Sequence, residues 1–194
     1  AGFHIQPWHY YLGRLAFSPG HGGPFWSEGL ILVLALAGGV AAFVGKAAPE
    51  GDPAFPRFLA VYSIGSAAVY SLIPYKTPWN MLPFVVGFVM LAGAGAARLV
   101  SGFRRPGVRL AAGLVLAAGL VQLGAQSRRA NFVYPADTRN PYVYAQTSPD
   151  YLRLVRRVEE IGAISPDSRD LLVKIVAGPY ETWPLPWSLR RFGR

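Results

Sequence analysis

One lysine stands between two prolines where two apolar stretches meet: residues 70–84 read YSLIPYKTPWNMLPF. Pro74 and Pro78 interrupt helix formation around Lys76, so the connector is expected to be a rigid turn. An ammonium is costly in a bilayer core, and near its edge it snorkels toward water. Fixed at headgroup level, it suits the phosphate or pyrophosphate of a lipid-linked substrate. Tyr75 and Trp79 flank it and could bear on a sugar face or a prenyl chain. An equally good reading makes Lys76 an anchor for the helix end.

Two other segments share this mixture of aromatics, prolines and a few polar groups: QPWHYYLGRL over 6–15 and YETWPLPW over 180–187. The first offers Trp8, Tyr10 and Tyr11, and the second offers the carboxylate of Glu181 for a sugar hydroxyl. The bland alternatives are the aromatic belt of a membrane interface and, for Glu181, ordinary surface. His4 and His9 lie five apart, which is not a same-face helical pair. A divalent metal or an acid–base role is conceivable there, as is simple hydrogen bonding at the interface. His21 reads as a loop residue, and Glu28 as a helix-terminus carboxylate. Cysteine is absent, so disulfides and thiolate metal sites are excluded. No phosphate-binding glycine loop, HExxH, GxSxG or CxxC occurs, and no cofactor is implied.

The elements that must position these residues are apolar. Hydrophobic residues make up 52% of the chain and charged ones 15%, against ~25% in soluble domains. Four runs without charge span residues 29–45, 58–75, 77–97 and 110–127. At ~1.5 Å per residue each covers roughly 25–30 Å, close to the hydrocarbon thickness. The fold expected is an α-helical membrane protein with four transmembrane helices at about 29–45, 58–75, 78–97 and 110–126. The membrane domain is then 1–127. An extracytoplasmic α/β segment follows over 128–194. The formal charge of +9 does not point to nucleic acid, because the first 126 residues carry only eight Lys/Arg and three Asp/Glu between apolar runs. The third connector holds Arg98, Arg104, Arg105 and Arg109 without an acid, which makes it cytoplasmic. Residues 1–28, the Lys76 connector and the tail then lie outside. In the tail, Ser148-Pro149-Asp150 predicts a helix start, Gly162 its C-terminal cap, and 171–177 (LLVKIVA) a strand.

Ser71, Lys76, Pro78, Trp79, Leu82 and Pro83 together resemble the lysine motif of integral-membrane glycosyltransferases of the GT-C class, which include protein-mannosyltransferase and aminoarabinose-transferase relatives. PWHYYLGRL, GPFWSEGL, PYKTPWNML and WPLPWSLRRF look most like a subgroup named flippase-activity-associated proteins of archaeal-type glycosylation, also found in bacteria. The resemblance implies a multi-pass plasma-membrane protein of a prokaryote. It would transfer a sugar from a polyprenyl-phosphate carrier to a glycan, lipid or protein acceptor on the outer face. Lys76 would contact the carrier phosphate, and Trp8, Tyr10 and Tyr11 would line the cavity. The family's catalytic Asp has no counterpart here and is expected upstream of Ala1, so the chain reads as a C-terminal part that is inactive alone. Two alternatives remain: a non-catalytic flippase or flippase-associated protein handling lipid-linked sugars, and a membrane scaffold.

Overall fold

A computed structural model describes residues 4–19, 23–44, 54–144, 148–178 and 182–192. Glu181, Tyr180 and His21 lie outside the described residues. The chain is mostly helical and forms two compact units, Ala1–Tyr144 and Ala145–Arg194. The sequence reading divides the chain at 127/128. In the structure, residues 129–144 fold back onto the preceding helices.

The first unit starts with a short helix α1 (Tyr10–Ala16) and a two-residue hairpin ladder, β1 (Ser18–Pro19) with β2 (Phe25–Trp26). Four long helices follow: α2 (Gly29–Val44), α3 (Ala54–Leu72), α4 (Leu82–Gly102) and α5 (Pro106–Arg128). A 3-10 turn over Pro78–Met81 leads into α4, and a π-helical turn over Arg129–Val133 extends α5. With these turns, α4 and α5 are long and apolar enough to cross a membrane. Helix α2 is as apolar but has only 16 residues, and α3 is diluted by Arg57, three serines and two tyrosines.

Proline and arginine set the helix ends. Pro106 takes the first helical position of α5, where a missing N–H costs nothing, so the helix starts four residues before the uncharged run. Arg57 lies inside α3 because its Nε donates to the Ala42 carbonyl at 2.9 Å, satisfying a C-terminal carbonyl of α2.

Helices α2 and α3 each pack on α4, and one core of Leu34, Ala35, Leu59, Ala60, Leu91 and Ala92 joins them. The α2–α4 crossing is a backbone contact. A Cβ on Gly38 would lie 2.1 Å from the Leu91 carbonyl oxygen, and one on Gly95 would lie 2.1 Å from that of Leu34. Small residues permit such an approach where lipid supplies no hydrophobic drive. Helix α5 meets the bundle along one line, through Leu116, Gly119, Gln122 and Gln126, and its apolar window has no buried residue.

The second unit holds α6 (Pro149–Ile164), a 3-10 turn (Ser168–Asp170) and α7 (Leu185–Ser188). Pro149 and Asp150 open α6 as expected, although Ser148 makes no side-chain cap bond. Gly162 is not the cap. It sits inside the last turn, buried, and a Cβ there would lie 2.3 Å from the Phe192 ring. The strand expected over 171–177 is not formed. Exposure alternates along it, with Leu171, Val173 and Ile175 more covered than their neighbours, but among the described residues no strand lies beside it to supply a ladder. The described part of this unit is therefore helix and extended chain rather than α/β.

Candidate functional site

The Lys76 connector is held by the chain's own N-terminal segment. The Lys76 amide donates to the His4 carbonyl at 2.8 Å and the Gln6 amide to the Pro74 carbonyl at 3.1 Å, so Ile5 and Tyr75 form an antiparallel bridge. Two of the three aromatic segments singled out in the sequence therefore meet.

Lys76 does not snorkel. It is 2% exposed, and its ammonium turns back to donate to the Ile73 carbonyl at the C-terminal end of α3. That is the electronegative end of the helix, which favours a cation. An ammonium has three donors, and among the described residues one is used, with no carboxylate in ion-pair range. The Thr77 hydroxyl nearby is also buried with no hydrogen-bond partner among the described residues. The Tyr11 hydroxyl faces the Asn80 side chain and the Thr77 main chain, and burial pushes its pKa up. Such a concentration of unused donors is uncommon in a native interior.

Aromatic rings stand around this lysine. The His4 ring lies 4.8 Å from Tyr75 and 5.3 Å from Tyr144, and Trp79 meets Tyr144 edge-on at 4.5 Å. The Tyr144 hydroxyl is 2.6 Å from His4 Nδ1. Tyr75 and Trp79 each leave half their surface exposed. Tyr10 lies under the Arg14 guanidinium at 4.9 Å, and His9 meets Trp8 edge-on at 5.5 Å. No group of three or more His, Cys, Asp or Glu gathers for a metal among the described residues.

An apolar groove opens beside the connector. Two adjoining cavities of about 460 and 490 Å³ share Leu12, Leu32, Ile64 and Phe88 as walls. The first is flanked by Trp8, Tyr11, Ser71 and Leu72, close in sequence to the Ile73 carbonyl that Lys76 holds. The second continues between α2 and α3, over α4, as far as Phe43 and Val44.

Sequence reasoning missed a third component, the strap of residues 137–144 that follows the π turn. Trp26 Nε1 donates to the Arg139 carbonyl at 2.9 Å, and Arg14 donates to that of Pro141. Buried Asn140 spans the turn, donating to the carbonyls of Ala130 and Tyr134 and accepting from the Tyr142 amide. Glu28, expected to serve the α2 terminus, instead receives the Tyr142 hydroxyl at 2.5 Å and Gln126 Nε2 at 2.5 Å. Ser27 Oγ does the capping, accepting from the Gly29 amide at 3.0 Å. Burial raises the Glu28 pKa, and the two hydrogen bonds offset part of that rise. The signals were present in the sequence: two glutamines four apart ending an apolar run, and two tyrosines two apart in NPYVY.

Asp137 shows the opposite shift. Hydrogen bonds from the Arg139 side chain hold its carboxyl at about 2. A lowered folded value contributes stability above the ordinary carboxyl pKa, and that contribution is lost as pH falls through about 2. The pair is exposed, so the effect is small. Asp137→Asn is expected to flatten the melting temperature between pH 4 and pH 2 relative to wild type, and an unchanged acid limb would refute it. Compared with known proteins, the chain matches no family, no curated protein and no solved structure.

Proposed function

We propose that this chain binds a polyprenyl-phosphate-linked sugar at the outer face of a prokaryotic plasma membrane, as the carrier-binding part of a GT-C-like glycosyltransferase. The observation that carries the reading is Lys76, a buried ammonium with unused donors on the connector between α3 and α4, two helices that wall an apolar groove, with half-exposed aromatic rings on the same connector. A phosphate needs a cation and donors, a prenyl chain needs apolar length, and a sugar face stacks on aromatic rings. In this reading α2–α5 all cross the bilayer. Helix α2, though short, is pinned to α4 by the Gly38–Gly95 contact.

In transfer, an acceptor oxygen attacks the anomeric carbon, and its proton passes to a carboxylate base. The sugar–phosphate C–O bond breaks and its electron pair leaves with the carrier phosphate. Lys76 stabilises the charge that grows there. The second reading, a non-catalytic flippase or flippase-associated protein, is favoured by one observation. Both described carboxylates of the first unit are already engaged, Glu28 by Tyr142 and Gln126 and Asp137 by Arg139.

The test is transfer of labelled sugar from a polyprenyl-phosphate donor by the protein in membranes, wild type against Lys76→Ala. Loss of transfer in the variant supports the enzyme. No transfer by either, with donor binding that still depends on Lys76, supports the second reading. Donor binding that ignores Lys76 refutes both.

A further inference from the structure

The structure assigns Glu28 a role at a distance: we propose that it is the positioning residue of the Lys76 site, acting through the Tyr142 hydroxyl to hold the strap that sets Tyr144 against His4 and Trp79. The inference uses the carrier-binding reading only for what the held ring serves.

The strap is anchored in sequence order. Arg139 is tied by Trp26, Asn140 by Ala130 and Tyr134, and Pro141 by Arg14. Beyond Pro141, among the described residues, the Asn140 side chain holds the Tyr142 amide within the strap, and the short bond from Tyr142 to Glu28 ties the strap to the helix ends. A phenol donating to a carboxylate at 2.5 Å is a charge-assisted bond, stronger than a neutral one. The carboxylate is itself fixed from below. Gln126 donates to its other oxygen, while the Gln126 carbonyl accepts from the Ser27 amide at 2.8 Å and from Gln122 at 3.0 Å. The Glu28 amide donates to the Leu15 carbonyl at 2.8 Å. The ends of α1, α2 and α5 thus converge on one residue, and its only described side-chain outlet toward the aromatic rings is Tyr142. Two residues on, Tyr144 bonds the His4 ring, and the His4 carbonyl holds the Lys76 amide.

The charged and titratable groups facing this node are Tyr142, Arg14 of α1, and the Asp137–Arg139 pair of the strap, with His4 at the far end. Burial raises the Glu28 pKa, while the hydrogen bonds from Tyr142 and Gln126 favour its charged form and act against that rise. The Tyr142 tie is strongest to the ionised carboxylate, so it is expected to weaken as falling pH protonates Glu28.

The chain has no cysteine, so a single introduced thiol reports without background. The full chain carrying Val143→Cys is placed in phospholipid nanodiscs and labelled with a maleimide. Rates are normalised to an exposed Ala163→Cys reference, which removes the intrinsic pH dependence of the thiol. Glu28→Ala and Tyr142→Phe are each expected to speed labelling at least about fivefold at pH 7.5, and the pair together no more than either alone. With Glu28 intact the normalised rate is expected to climb as pH falls, and with Glu28→Gln to stay flat. The series is repeated with His4→Gln, because histidine also titrates in this range. Unchanged labelling in both single variants overturns the proposal, as do additive effects, which would make the two side chains independent props. A pH response that survives Glu28→Gln but vanishes with His4→Gln overturns it as well. Donor-lipid binding is scored separately with Lys76→Ala. Failure there removes the carrier reading and leaves the Glu28–Tyr142 coupling standing.

Discussion

Alanine at Gly38 or at Gly95 is expected to destabilise the first unit by roughly 1–3 kcal/mol or more, the range for overpacking a tight contact. The added methyl meets backbone: carbonyl oxygens at 2.1 Å and amide nitrogens at about 3 Å on the facing helix. A flexible side chain can swing aside, but a helix backbone moves only as a whole. Relief therefore requires α2 and α4 to separate, and the core of Leu34, Ala35, Leu91 and Ala92 opens with them. The two glycines face each other, so the double variant is expected to cost less than the sum of the singles. Gly93 is the control: a Cβ there meets nothing within 4 Å. Gly93→Ala is expected to be neutral or slightly stabilising, since alanine is the better helix former by up to about 1 kcal/mol. Thermal unfolding in detergent checks the set. Gly38→Ala melting with the Gly93 control would refute the backbone contact.

Lys76→Met is expected to move stability and binding in opposite directions. Methionine has similar length and flexibility and no charge. In the apo protein the buried ammonium gives up hydration for one carbonyl hydrogen bond. Removing an imperfectly compensated buried charge commonly stabilises a protein, by about 1–4 kcal/mol where it has been replaced by well-packed apolar groups. The variant should therefore melt higher than wild type. Its affinity for a prenyl-phosphate lipid should fall at least about tenfold, the equivalent of one charge-assisted hydrogen bond. An anchoring lysine would give another pattern, with stability down and lipid binding unchanged. A variant that melts lower and binds equally well would reduce Lys76 to that role.

The apolar runs showed where helices lie because charge avoidance is a local property. The ends were less visible. Arg57 and Arg109 lie inside helices whose uncharged runs begin after them, because an arginine near a helix end can reach a carbonyl or extend away from the apolar core. The shared composition of the 6–15 segment and the Lys76 connector was visible, whereas the bridge that joins residues 4–6 to the connector and the burial of the ammonium were not. The 171–177 segment has the alternation of a strand, and alternation records which side is covered, not whether a neighbour exists to bond. The strap was hardest to see. Tyr142 and Glu28 are 114 residues apart, and a hydrogen bond at that separation leaves no periodic trace.

Helix α5 is joined to the bundle by a seam of unequal strength. Toward Pro106 the line offers small and aliphatic side chains, which interlock weakly and without direction. Toward Arg128 it ends in Gln122 and Gln126, which are threaded into the Ser27–Glu28 node. A seam fastened at one end opens from the other. Bilayer thinning or a competing helix would peel α5 away from Pro106 upward, and the motion would stop at the glutamines. The end nearest the candidate site would keep its register while the opposite end swings.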